Sequence, residues 1–229
     1  MHFRLHGRLV ETRVAGRTLA GNLLGDPAER DLLVYLPPDY DTSARRYPVV
    51  TLLPGFAATH RSMIAWTPWK RSTIEALDDQ IVRGECAPTI VVMPDSTTRF
   101  GGSQFLDSPV TGRHQTYLAE EIVAHVDGTF RTIADPSGRA VAGRSSGGFG
   151  ALRLATDRPG VFSAIGAHAA DASFDVTMRP MLTHAAIAIG RAGGVEAFAR
   201  RVTDGGPRDA MEFDAIFTLA ASTAYTPEP

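Results

Sequence analysis

The chain has 229 residues, 44% of them hydrophobic and 21% charged, the balance of a single soluble globular domain with a real core. Lys and Arg number 23 against 25 Asp and Glu, a formal charge of −2, so no basic field draws nucleic acid or a membrane surface. Cys86 is the one cysteine, which excludes an intrachain disulfide; the start of the chain lacks a signal-peptide apolar run, no stretch approaches the roughly 20 apolar residues of a membrane span, and the expected location is the cytoplasm.

Residues 2–20 alternate loosely (Phe3 and Leu5, then Val10, Thr12 and Val14) and predict a pair of strands. Residues 21–27 form a turn-rich connector. A strand over 31–36 is stopped by Pro37-Pro38, and a buried strand over 47–53 is ended by Pro54-Gly55. Residues 62–83 read as helical in part, interrupted by Pro68. A third apolar strand covers 88–94, and 100–113 is a Gly/Ser loop. Tyr117, Leu118, Ile122, Val126 and Phe130 recur about every four residues, as on one face of a helix. A short strand follows over 140–142, then a helix opening with Phe149, Leu152 and Ala155, then a strand over 162–168. The remainder reads as helices over 178–189, 195–202 and 210–221.

Strands and helices alternate, and the strands are nearly continuously apolar. That pattern predicts an α/β fold with a mostly parallel central sheet and helices on both faces. No linker or repeat divides the chain, so residues 1–229 are expected to form one domain. In such sheets the ligand site lies at the carboxyl ends of the strands. The loops after Leu53, Met93, Ala142 and Ala167 are therefore expected to converge on one crevice.

Gly143-Arg144-Ser145-Ser146-Gly147 stands between a predicted strand and a predicted helix. This is the context a G-x-S-x-G nucleophile elbow requires, because small residues must flank a serine held on a sharp turn. Acyl transfer also needs donors for the oxyanion. The residue after the nucleophile supplies one, the N–H of Ser146. The loop after the strand 47–53 supplies the second, assigned to the Phe56 N–H with Ala57 as the off-by-one alternative.

With these residues in view, the chain resembles the "Putative esterase" branch of the α/β-hydrolase superfamily, the group of esterase D-like and enterochelin esterase-like enzymes and mycolyltransferases. The resemblance rests on Tyr35-Leu36-Pro37-Pro38-Asp39-Tyr40, the strand and turn through Pro54-Gly55-Phe56, Val92-Met93-Pro94-Asp95, Gly101-Gly102-Ser103-Gln104 and the segment from Gly143 to Leu152. It covers about residues 22–175 and implies a serine hydrolase or acyltransferase with Ser145 as nucleophile and an oxyanion hole near Phe56 and Ser146. In that superfamily the acid and then the histidine follow the serine in chain order. Only 84 residues follow Ser145, and after the strand over 162–168 they show no further apolar strand. The expectation is that the last strands, the acid and the histidine lie beyond Pro229, in a longer protein.

A base from within the chain is the alternative. His168 and Asp171 follow one strand and can line the site; His184 lies on a helical stretch. Arg144 and Trp66 are further candidates for lining it, Arg144 by contacting a substrate carboxylate or by covering the elbow. Asp95 reads as a loop-fixing residue. Gly101-Gly102-Ser103-Gln104 lacks the Lys-Ser/Thr of a phosphate loop and is expected to shape the pocket rim. His114 is expected to begin a helix and His125 to lie along it. No metal-ligand spacing occurs, so neither a metal nor a cofactor is expected. The functional reading is a serine ester hydrolase for a small-molecule ester. An acyltransferase on the same machinery and a non-catalytic domain are the alternatives.

Overall fold

The computed structural model describes residues 4–225. Its strands are β1 (Arg8–Val14), β2 (Arg30–Leu36), β3 (Val49–Leu53), β4 (Ile90–Pro94), the short β5 (Asp107–Ser108) and β6 (Gly112–Arg113), β7 (Arg139–Arg144) and β8 (Ala164–His168). Its helices are α1 (Thr73–Val82), α2 (His114–Thr116), α3 (Val123–Thr129), α4 (Ser146–Asp157), α5 (Phe174–Thr177), α6 (Arg179–Arg191), α7 (Val195–Gly205) and α8 (Ala210–Tyr225). A π-helical turn, Tyr117–Ile122, joins α2 to α3.

The main sheet runs β1-β2-β4-β3-β7-β8. β4, β3, β7 and β8 are mutually parallel, and β2 is antiparallel to both β1 and β4. The mostly parallel sheet read from the sequence is thus present. Phe3 of the predicted strand pair in 2–20 lies outside the described residues; among the described residues β1 is the strand that forms there, pairing with β2, and Arg17–Leu19 is a single 3-10 turn. Gly16 ends the strand at φ 58°, packed so closely that a Cβ would lie 2.0 Å from the Ala28 carbonyl oxygen.

Alternating side chains of the central strands feed two cores, as the strand period of two dictates. Leu32, Val34, Leu36, Ile90 and Val92 join Tyr117, Leu118, Ile122 and Leu154 on one face. Leu33, Tyr35, Val91 and Met93 join Ile74 and Ile81 of α1 on the other. α1 begins at a reciprocal cap in which Ser72 accepts from the Glu75 N–H and Glu75 accepts from the Ser72 N–H. A third cluster binds α6, α7 and α8 through Ala185, Ala188, Phe198, Val202, Ala215 and Ile216, and Phe56 packs against it. The helical cap is therefore tied to the end of β3. Among the described residues no helix is long and apolar enough to cross a membrane.

Candidate active site

β7 lies between β3 and β8, with Leu53 opposite Gly143 on one side and His168 opposite Arg144 on the other. Where β7 ends, Ser145 adopts φ 56° and ψ −123°, and α4 starts at the next residue. Side-chain-bearing residues rarely adopt that backbone region, and such strain gathers at functional sites. The surroundings hold it in place. The Ser145 N–H donates to the His168 carbonyl at 3.0 Å, and its own carbonyl accepts from the Phe149 N–H at 2.9 Å.

The flanking glycines are required by contact. A Cβ on Gly143 would stand 2.3 Å from the Gly147 carbonyl, and one on Gly147 would stand 2.2 Å from the Leu53 carbonyl oxygen. One on Gly148 would meet the His168 carbonyl oxygen at 2.9 Å. The start of α4 is thus pressed onto the ends of β3 and β8. The first N–H groups of a helix have no intrahelical acceptor, so the Ser146 N–H stands beside the Ser145 hydroxyl without one. On the β3 side, Ala57 sits at φ 58° and donates its N–H to the Gly101 carbonyl at 3.1 Å. Among the described residues the Phe56 N–H has no hydrogen-bond acceptor.

A crevice of about 960 Å³ opens over Ser145. Gly55, Phe56, Met63, Arg144, His168 and Asp171 line it, with Met181 of α6 and Phe213 and Phe217 of α8. The Phe56 ring meets Phe213 and Phe217 edge-on, with centroids 5.6 and 4.7 Å away. Three of the four expected loops converge here, those after β3, β7 and β8. The loop after β4 does not, because β3 separates β4 from β7. Asp95 in that loop accepts from the N–H and hydroxyl of Thr97 at 2.9 and 2.7 Å, a turn-fixing contact as its sequence context suggested.

Arg144, exposed, and His168 and Asp171 reach the crevice. Trp66 does not. After a 3-10 turn over His60–Ile64 the chain swings outward into a Thr67–Lys70 bridge, leaving Trp66 half-exposed and Trp69 fully exposed. Ser62 and Met63 take the lining position instead. Gly101 and Gly102 stand behind the Phe56 ring rather than on the rim, where a Cβ on either would lie 3.1 Å from that ring.

Asp171 holds a position the sequence did not disclose. Its carboxylate accepts from the Ser145 hydroxyl at 3.2 and 3.4 Å and from the Ser146 hydroxyl at 3.0 Å. Among the described residues no histidine side chain bonds to Ser145. The His184 Nδ1 is 2.6 Å from the Asp214 carboxylate, joining α6 to α8 outside the crevice lining. His114 begins α2 as expected and is fully buried; desolvation, with the Arg30 charge adding, pushes its imidazole down to about 3. Tyr225 packs beside Phe149 and Phe174, and burial pushes its phenol up to about 12, the Arg153 charge opposing and the Asp171 charge adding. Among the described residues no three His, Cys, Asp or Glu side chains gather as a metal site.

A family model described as "Putative esterase" matches residues 27–203. Esterase Rv1288 of Mycobacterium tuberculosis is 34% identical over 146 residues, which are 61% of this chain and 29% of that protein. The chain therefore spans less than a third of the curated relative it matches. A solved ferulic acid esterase superposes with a TM-score of 0.60 at 23% identity, covering 74% of this chain and 60% of its own. An S-formylglutathione hydrolase from Agrobacterium tumefaciens superposes with a TM-score of 0.53 at 23% identity, covering 71% and 57%. These structural likenesses establish the α/β-hydrolase fold.

Proposed function

The chain belongs to the "Putative esterase" family, and from that premise we propose that it is a serine carboxylic ester hydrolase working through an acyl-enzyme on Ser145. The observation that carries the proposal is the strained Ser145 at the β7–α4 turn, enclosed by Gly143 and Gly147 at separations no Cβ could tolerate. Ser145 Oγ attacks the acyl carbon, and the Phe56 and Ser146 N–H groups receive the charge that develops on the carbonyl oxygen. Each donor of this kind lowers a barrier by roughly 3 kcal/mol. The alcohol leaves, and water releases the acyl group.

Leu52, Phe56, Met63, Met181, Phe213 and Phe217 make the crevice largely apolar, which suits a small-molecule ester with an apolar acyl or alcohol part. Arg144 places a cation at the same opening, suited to a carboxylate elsewhere on the substrate. The relatives named above are esterases and a hydrolase, which favours water over an alcohol as acyl acceptor. A fluorophosphonate probe tests the proposal: the expected result is one covalent label, on Ser145, absent from Ser145→Ala. A folded protein that takes no label there would overturn it.

A further inference from the structure

Arg144 stands one peptide bond before the nucleophile and lines the crevice that opens over it. We propose that this guanidinium selects the substrate: the chain takes esters that carry a free carboxylate on a short chain, and Arg144 receives that carboxylate while the ester lies over Ser145. The inference rests on the reading of Ser145 as nucleophile and adds to it the class of ester.

Three observations carry it. The first is position. Arg144 is the last residue of β7, and adjacent α-carbons lie about 3.8 Å apart, so the charge is tethered beside the reacting hydroxyl. The second is that the charge is uncommitted. The arginines around it in the chain, Arg139, Arg153 and Arg158, are each paired, with Asp127, Asp157 and Asp107. Among the described residues Arg144 has no ion pair and no side-chain hydrogen bond. Asp171, the one acid among the described residues that line the crevice, accepts instead from the Ser145 and Ser146 hydroxyls. The third is the medium. Phe56, Met181, Phe213 and Phe217 wall the crevice, and among the described residues Arg144 is its one Arg or Lys. Apolar walls strengthen the attraction of a lone charge for its counter-ion.

A wholly apolar ester would leave the guanidinium to solvent, whereas a carboxylate takes two parallel N–H donors from it. Arg144 is exposed and Asp171 half-buried, so the carboxylate is met toward the mouth, clear of the like charge at the elbow. An exposed arginine is ordinarily a solvated surface charge, a role that would leave the choice of ester unaffected.

The experiment reads that choice as protection of Ser145 from an uncharged fluorophosphonate, with Ser145→Ala as blank. The protecting esters are monomethyl glutarate, with its carboxylate on the acyl side, and 4-acetoxybutyrate, with its carboxylate on the alcohol side. Each anion is compared with its own methyl ester, which differs in charge and one methyl group. Within one protein the ratio of half-protecting concentrations, neutral over anionic, cancels any general change in reactivity. The wild-type ratio is expected to reach about five to ten in one arm, and that arm identifies the side of the ester. It should shrink toward one in about 0.5 M salt and in Arg144→Gln, and Arg144→Lys should keep part of it. A wild-type chain that neither anion protects, a ratio near one in both arms, or a ratio that Arg144→Gln retains overturns the inference and leaves Ser145 as nucleophile. A wild-type chain that labels no faster than Ser145→Ala overturns both. If Arg144→Gln does not fold, the wild-type ratio, its salt dependence and Arg144→Lys decide in the same way.

Discussion

β4 and β8 are both five-residue parallel strands of one sheet, yet every residue of β4 is buried and every residue of β8 is exposed. β4 sits between β2 and β3 and reads Ile-Val-Val-Met-Pro; among the described residues β8 pairs with β7 alone and reads Ala-Ile-Gly-Ala-His. The contrast separates two tasks. β4 holds the sheet together by burying large side chains on both faces. β8 buries little and presents backbone: the His168 carbonyl steadies Ser145, and the turn beyond it delivers Asp171. The site lies where the packed part of the sheet gives way to the open part.

Truncating matched isoleucines breaks this comparison most directly. Ile90 in β4 is fully buried, whereas Ile165 in β8 is 50% exposed. Ile90→Ala should cost about 3 kcal/mol, within the range for a buried residue reduced to alanine, and Ile165→Ala less than about 1 kcal/mol. Urea unfolding gives both values from midpoint and slope. Equal costs would mean that the β8 face is covered in solution.

Glycine substitutions sharpen the comparison at the elbow. The Cβ of Gly147→Ala would fall 2.2 Å from the Leu53 carbonyl oxygen and 2.5 Å from that of Pro54, both fixed backbone atoms. The turn must shift, at about 1–3 kcal/mol of stability, and the labelling rate should fall with it. Gly166→Ala in β8 meets the Ala142 Cβ at 3.1 Å, a contact that a small movement relieves. Its expected cost is below about 1 kcal/mol, with labelling retained. Thermal melts and labelling rates on the pair check this, and a Gly166→Ala chain that loses labelling would show that β8 positions Ser145 as tightly as β3 does.

The same division governs what could be read from the amino-acid order. β2, β3 and β4 declare themselves as apolar runs because residues 32–36 and 90–93 are buried on both faces and β3 lies between β4 and β7 with Thr51 as its one polar residue. The elbow is legible because the contacts of Gly143 and Gly147 admit nothing larger. Asp171 was legible only as a residue after a strand, since its contact depends on where β8 stops against β7, which the local sequence does not encode. Met181, Phe213 and Phe217 look like ordinary helix-core residues until α6 and α8 fold over Phe56. Trp66, expected to line the site, misled for the converse reason: its place after a loop that does reach the crevice suggests lining, and the chain swings outward after residue 64.

A buried carboxylate on the packed side of the sheet tests the comparison through pH. Asp78 of α1 is fully buried, and its oxygens accept from the His6 N–H at 2.8 Å, the Gly7 N–H at 2.7 Å and the Tyr35 hydroxyl at 2.8 Å. Burial pushes its carboxyl up, but these donors outweigh burial and hold it below the usual carboxylate range. A lowered folded-state pKa means that the unfolded chain binds the proton more readily. The contribution to stability is therefore present above the unfolded value, about 3.9, and is lost as pH falls below it through the folded value. Other carboxylates held low in the same way, among them Glu121 and Asp157, add to the acid sensitivity. Asp78→Asn should lose about 1–3 kcal/mol near neutrality, because an amide cannot satisfy all of these donors. Its stability should also change less between pH 6 and 3 than the wild type's, as read by unfolding at each pH. Its labelling rate at pH 7 should not change, because Asp78 anchors residues 6 and 7 to α1 and touches nothing in the crevice. If Asp78→Asn slowed labelling, the packed and open halves of the sheet would be mechanically coupled, and the separation drawn from β4 and β8 would fail.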